Sequence, residues 1–380
     1  MKLGLSPLLL LLALTACSSS SEAPAPATPA PAATDPGATP AACEDGTYRT
    51  LEGACQAFPA LFMERSQVTI APSRDHHATA VIERSSGPWL YVIGGTNAWD
   101  ALHDDVLRAP IGKDGKLGAF ESAGTLPERR AGHCMVQNGD RLYLFGGIVG
   151  DVRKGPSTSS VVLTLDAEGK VTASSPGPEL PVAVMHVGCA MAGDSIYATG
   201  GRGEDSRSTK LSARTKIGAD GSLSPFENLT PLVPDRSHHA VFVRGRTLYV
   251  LGGIRGNPVG NQADNRKDVV AADIAPDGTI GEWYGAGALP TSISVSSALL
   301  YQDAVYVMGG LEEGGFTAKI RRATFADDGT LSDFTTLKTQ LPDARGHVHQ
   351  TPAWGSFVFS VGGKNDLDES LGTVDVGRFE

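Results

Sequence analysis

At 380 residues the chain is long enough for two or three ordinary domains or for one large repeat architecture. With 41% hydrophobic and 19% charged residues it is not a wholly disordered chain, and 46 glycines with 24 prolines mark it as rich in turns. A net charge of -10 argues against non-specific nucleic-acid binding, so no nucleic-acid partner is expected.

The longest apolar run lies at the extreme N-terminus and is too short for a spanning helix. Lys2 precedes an apolar stretch centred on Leu8 to Leu12, followed by Leu14-Thr15-Ala16-Cys17. This segment resembles the lipobox of bacterial lipoprotein signal peptides, which implies a signal peptide over residues 1–16 and lipidation at Cys17. An ordinary secretory signal with a chance cysteine is the alternative. Leu14, the small residues Thr15 and Ala16, and the serine run after Cys17 favour the lipid. Two or more acyl chains, at about 0.8 kcal/mol per buried methylene, hold a soluble domain stably on a membrane. The expected location is therefore the bacterial cell envelope, lipid-anchored at the outer membrane or cell surface; under enterobacterial sorting Ser18 directs a lipoprotein to the outer membrane. Residues 17–42 are almost wholly Ser, Ala, Pro, Thr and Gly, a composition that builds no core and reads as an extended tether.

Within a short segment, 43–59, Cys43 and Cys55 flank a Gly-containing loop. In an exported, oxidised protein they are expected to form a local disulfide, and metal binding is the lesser reading because no His or third Cys lies nearby. Cys134 and Cys189 occupy equivalent parts of two consecutive repeats, either as two buried thiols or as a bridge.

The repeats organise everything from residue 60 to 380. Apolar strands ending in a glycine pair recur at Gly94-Gly95, Gly146-Gly147, Gly200-Gly201, Gly252-Gly253, Gly309-Gly310 and Gly362-Gly363, a mean period of about 54 residues. An aromatic residue stands three positions before each pair: Tyr91, Tyr143, Tyr197, Tyr249, Tyr306 and Phe359. Hairpin signals follow at Asp114-Gly115, Glu168-Gly169, Asp220-Gly221, Asp277-Gly278 and Asp328-Gly329. Each unit closes at Pro127, Pro181, Pro234, Pro290 or Pro342, which gives four strands per unit. The pattern resembles the kelch-repeat β-propellers, particularly exported bacterial ones, within the superfamily that includes the central domain of galactose oxidase. The resemblance implies an all-β fold: a six-bladed propeller with four-stranded blades around a central channel.

Only 17 residues follow Gly363, enough for a third strand near Gly372 to Phe379 and too few for a fourth. The segment Gln67 to Pro72 mimics the end of a unit, with Pro72 five residues before His77 as Pro234 is before His239. An N-terminal strand is therefore expected to complete the last blade and close the ring, removing two open sheet edges.

In propellers, ligands are commonly bound on the face holding the loops before the inner strand and after the second strand. The first set of loops is rich in Arg and His here, and the candidate ligand-binding residues are Arg74, His77, Arg130, His133, Arg236, His239, Arg345 and His349. One reading is an electropositive mouth for a carboxylated or phosphorylated ligand. The other, preferred because scaffold residues recur whereas a catalytic site is asymmetric, is that these side chains brace the blades. No metal site is expected, since His76/His77 and His238/His239 are adjacent pairs whose rings, as strand neighbours, would point to opposite faces; convergence of two or three inner-strand histidines from different blades on the axis is the lesser reading. The acidic residues Asp100, Asp104, Asp105, Glu204, Asp205, Asp366, Asp368 and Glu369 read as solvated carboxylates rather than a calcium loop. No catalytic residue and no cofactor is assigned, and the Tyr, Cys and His set of the galactose oxidase copper site is not found. The function expected is a monomeric, envelope-anchored scaffold that binds a protein or glycan; the alternative is a carbohydrate-active enzyme resembling the sialic-acid mutarotases.

Overall fold

The computed structural model describes residues 43, 47–50, 53–257 and 263–380. The signal peptide, the tether and Cys17 lie outside the described residues.

Each repeat folds because its second strand is apolar on both faces and is covered on both sides by neighbouring blades. In Leu90 to Ile93, Leu142 to Phe145 and Leu248 to Leu251 every side chain is at most 1% exposed, as expected of strands buried between two layers. The result is six four-stranded antiparallel sheets. Blade 1 comprises Ala78–Arg84, Gly87–Ile93, Asp105–Pro110 and Glu121–Thr125, from inner to outer strand. Blades 2 to 5 repeat that order, with inner strands Cys134–Asn138, Gly188–Ala192, Ala240–Arg244 and Ser297–Tyr301. This all-β, six-bladed β-propeller is the architecture read from the repeats.

Blade 6 joins both ends of the described chain. Ala353–Trp354, Phe357–Val361 and Thr373–Phe379 supply three strands, and Leu61–Thr69 is the fourth. The closing strand pairs in antiparallel register from Leu61↔Phe379 to Thr69↔Thr373, with an irregularity between Arg65 and Thr69. It thus begins earlier than the Gln67-to-Pro72 segment singled out in the sequence, and residues Ile70 to Pro72 lead out of it. Arg65 ties the seam, donating to Asp375 at 2.6 Å and to Asp343 at 2.5 Å.

The five predicted hairpin glycines all have φ between 78 and 85°, the left-handed region that a tight turn needs and glycine enters freely. They also serve the adjacent blade. Tyr91, Tyr143, Tyr197 and Tyr249 each donate from the phenol to the carbonyl of Gly169, Gly221, Gly278 and Gly329 in the following blade, at 2.7–3.0 Å. Tyr306 faces blade 6, whose third and fourth strands come from different chain ends and are joined by no such turn.

Cys43 and Cys55 form the expected disulfide, with Cα atoms 5.6 Å apart. It clips a hairpin of Thr47–Arg49 and Cys55–Ala57, where Tyr48 stacks on Phe58 and Phe58 lies under the Arg322 guanidinium. Cys134 and Cys189 are bonded as well, linking the inner strands of blades 2 and 3.

Candidate functional site at the propeller mouth

The loops entering each inner strand share one backbone design. The N–H of every second glycine donates to a carbonyl just before the next blade's inner strand, at 2.7–2.9 Å: Gly95 to Arg130, Gly147 to Val184, Gly201 to Arg236, Gly253 to Ile293, Gly310 to Arg345 and Gly363 to Arg74. The circle closes, and it aligns Val184 and Ile293 with the four arginines. It also explains the glycine pairs: a Cβ at Gly200, where φ is 58°, would lie 2.2 Å from the Arg236 carbonyl oxygen.

With that phase established, each predicted residue has a place. Arg74, Arg130, Arg236 and Arg345 are at most 2% exposed and point into the blade walls. Each donates to the carbonyl of its own blade's first paired glycine: Gly94, Gly146, Gly252 and Gly362. Three of them also pair with a carboxylate: Arg74 with Asp105, Arg236 with Asp268 and Arg345 with Asp375, at 2.6–2.8 Å. Arg130 has the Ser159 hydroxyl instead, at 2.8 Å. His77, His133 and His239, three positions after an arginine, fill the wedges between blades against the glycine pairs. Seven of the eight candidates thus form blade walls. Only His349 falls outside the repeated phase; it occupies the position held elsewhere by Ala78, Cys134, Gly188, Ala240 and Ser297.

The acidic residues do not gather either. Asp105 is spent on Arg74, and Asp366 accepts the Phe316 N–H from the neighbouring blade at 2.7 Å.

What converges on the axis is a set of histidines, the arrangement given above as the lesser reading. Two positions after the arginine phase stand His76, Gly132, His186, His238, Val295 and His347. All six have φ between 51 and 65°, a region unfavourable for residues other than glycine. Their amides form a second closed circle around the axis at 2.8–3.3 Å: Gly132 donates to His76, His186 to Gly132, His238 to His186, Val295 to His238, His347 to Val295 and His76 to His347. The circle offsets the backbone strain and delivers four imidazoles to the centre. His76 and His347 have ring centroids 4.0 Å apart, His186 and His238 3.6 Å, and His76 and His186 4.9 Å. His349 joins them from the segment that leads into the inner strand of blade 6, 5.7 Å from His186 and 5.8 Å from His76.

The adjacent pairs diverge, as expected, but by another route. His76 and His77 are not strand neighbours on opposite faces, because the left-handed turn at His76 sends one ring to the axis and the other to the wall. The sequence signal was present in the spacing. It becomes visible only when Val184 and Ile293 are recognised as occupying arginine positions.

Burial holds these rings neutral at neutral pH. It pushes His76, His133, His186, His238 and His347 well below the ordinary imidazole range, His77 and His239 to about 3, and His349 to about 4. Above the cluster opens a cleft of about 460 Å³ lined by Trp99, Ile148, Val152, Met185 and Arg202 and by His76, His186, His238 and His347. On its other side an axial channel of about 410 Å³ runs between the inner strands, with His349 and Gln350 on its wall.

Comparison with known proteins agrees with the propeller fold. No protein-family model matches the chain. It is similar to kelch-like protein terF of Aspergillus terreus, 25% identical over 62% of this chain and 50% of that protein. It is similar also to beta-scruin of Limulus polyphemus, 23% identical over 77% of this chain and 31% of that protein. A third relative, kelch-like protein 38 of the rat, is 26% identical over 37% of this chain and 22% of its own length. The chain therefore spans half or less of the relatives it matches. Fold and likeness together define a six-bladed kelch-type β-propeller.

Proposed function

We propose that this chain is an exported, lipid-anchored propeller that binds a protein partner in the cell envelope through its mouth face. The lining of the mouth carries the reading. Trp99, Ile148, Val152, Pro156 and Met185 gather around the axis, with Arg202 and Glu204 beside them. An apolar, aromatic and methionine-bearing centre with charge at its edge is the composition of protein interfaces. Arg202 bonds the Ser206 hydroxyl at 2.9 Å rather than a carboxylate, and is suited to meet an acidic residue of the partner. The sugar-epimerase alternative has lost its main support, since the four arginines that suggested an anionic-ligand clamp are engaged within the blades.

The test is site-specific photo-crosslinking in cells from Trp99 and Val152 at the mouth, beside Lys113 in a turn and Asn138 at a strand end of the opposite face. Discrete protein adducts from the mouth positions alone are expected. Equal adducts from both faces, or none from the mouth, would overturn the reading. The anchor is tested separately with Cys17→Ala, which should move the protein from the membrane to the soluble fraction.

A further inference from the structure

The two kinds of histidine in this ring differ in a way that separates scaffold from site. His77, His133 and His239 recur in equivalent wedges and pack against glycine pairs, as a repeat requires. The axial set is asymmetric. Gly132 and Val295 interrupt it, and His349 is added from a position where the other five blades carry small residues. One ring nitrogen from each of His76, His186, His347 and His349 lies within 4.8 Å of the others.

Two observations point to a ligand for this set. Among the described residues, Nδ1 of His186 and Nδ1 of His347 are buried with no hydrogen-bond partner, as are ring nitrogens of His77, His133 and His239, a state that costs free energy unless something fills it; His186 and His347 also offer nitrogens that converge on one point. His76 is oriented from behind: its Nδ1 faces the fully buried carboxylate of Asp75, which also accepts the Ser370 hydroxyl at 2.5 Å. A carboxylate behind an imidazole fixes the tautomer and leaves Nε2 with its lone pair free, the usual outer-shell arrangement of a ligating histidine.

We propose that His76, His186, His347 and His349 bind a divalent transition-metal ion that favours imidazole, of the zinc or copper class, on the propeller axis. All-nitrogen ligation without carboxylate or thiolate suits those ions over calcium or magnesium. Tetrahedral zinc with Zn–N of about 2.0–2.1 Å sets its ligand nitrogens about 3.4 Å apart, so the rings need close by little more than an ångström. The mouth cleft offers a path of entry, and His238, stacked on His186, holds that ring in place. A metal there sits at the floor of the proposed protein-binding face, and the site stands whether or not that face binds a protein.

The experiment is titration of the full chain, stripped with a chelator, with Zn²⁺ by calorimetry and with Co²⁺ by visible absorption. Saturation at one ion per chain is expected, with the strong visible bands of tetrahedral Co²⁺. His186→Asn suits the left-handed backbone, and His349→Ser copies the residue of blade 5; each should weaken binding at least 100-fold. Asp75→Asn should weaken it roughly 10- to 100-fold through its effect on His76, whereas His103→Ala should bind as the unaltered chain. Copper loading gives a readout that needs no variant: electron paramagnetic resonance should show coupling to imidazole nitrogens. Absence of stoichiometric binding, a copper spectrum without nitrogen coupling, or affinity that survives both cluster substitutions would overturn the site.

Discussion

Replacing Arg345 with Met tests whether the repeated arginines are blade braces. Arg345 is 1% exposed and Asp375 is fully buried. The guanidinium donates to Asp375 at 2.6 Å, to the Thr373 hydroxyl at 3.0 Å and to the Gly362 carbonyl at 2.8 Å. Burial raises the Asp375 carboxyl, and Arg345 followed by Arg65 opposes that rise. Arg345→Met leaves a buried carboxylate with Arg65, itself a third exposed, as its remaining cationic partner. Breaking such a pair costs about 3–5 kcal/mol. For a propeller of roughly 320 residues the unfolding entropy is about 0.7 kcal/mol/K, so a loss of about 4 kcal/mol lowers Tm by about 6 °C. Among the described residues Arg130 has no carboxylate partner, and burial lowers its pKa to about 10. Arg130→Met therefore strands only neutral acceptors, about 2 kcal/mol or about 3 °C. Calorimetric melting of both variants and of Arg345→Met/Asp375→Asn is the assay. The double variant should recover part of the loss because no charge is left buried. Equal shifts for Arg345→Met and Arg130→Met, or no recovery in the double variant, would refute the reasoning.

Stability should fall with acid in a defined window. His77 and His239 titrate near 3 and His349 near 4 in the fold, against about 6.5 unfolded. Above pH 6.5 both states are neutral and nothing is lost; below it the unfolded chain takes up protons that the fold resists. At pH 5 each of these histidines costs about 2 kcal/mol, and a urea midpoint that stays flat from pH 7 to 5 would contradict it. The Cys134–Cys189 bond closes 55 residues across two blades and contributes about 4 kcal/mol by the chain-entropy argument. Cys134→Ala/Cys189→Ala should show that loss in equilibrium denaturation, and an unchanged midpoint would count against it. Deleting residues 60–72 removes the strand paired with Thr373–Phe379 and exposes an edge. The truncated chain should lose its cooperative melt and self-associate on size exclusion, and a monomer melting as before would show that the seam is dispensable.

Much of the molecule was legible in the order of its residues. Six glycine pairs phased with six aromatics specify six strands of one type, because a sequence period is a local property repeated. The hairpin glycines were legible for the same reason, since a left-handed turn selects its residue locally. The closing strand of blade 6 was partly legible too: Gln67 to Pro72 mimics the end of a unit, and the strand that pairs with Thr373–Phe379 runs through this region, from Leu61 to Thr69. Only the tertiary structure distinguished the histidines. His76 and His77 are adjacent in sequence, yet a positive φ at His76, shared by its equivalents and held by a circle of amide bonds, sends one ring to the axis and the other to the wall. The arginines show the converse. In sequence they resemble a cationic mouth, and in the fold their charge is consumed by carbonyls and carboxylates within the blades. Which groups meet at the axis depends on ring closure, which brings together residues from 76 to 349 that no local spacing relates.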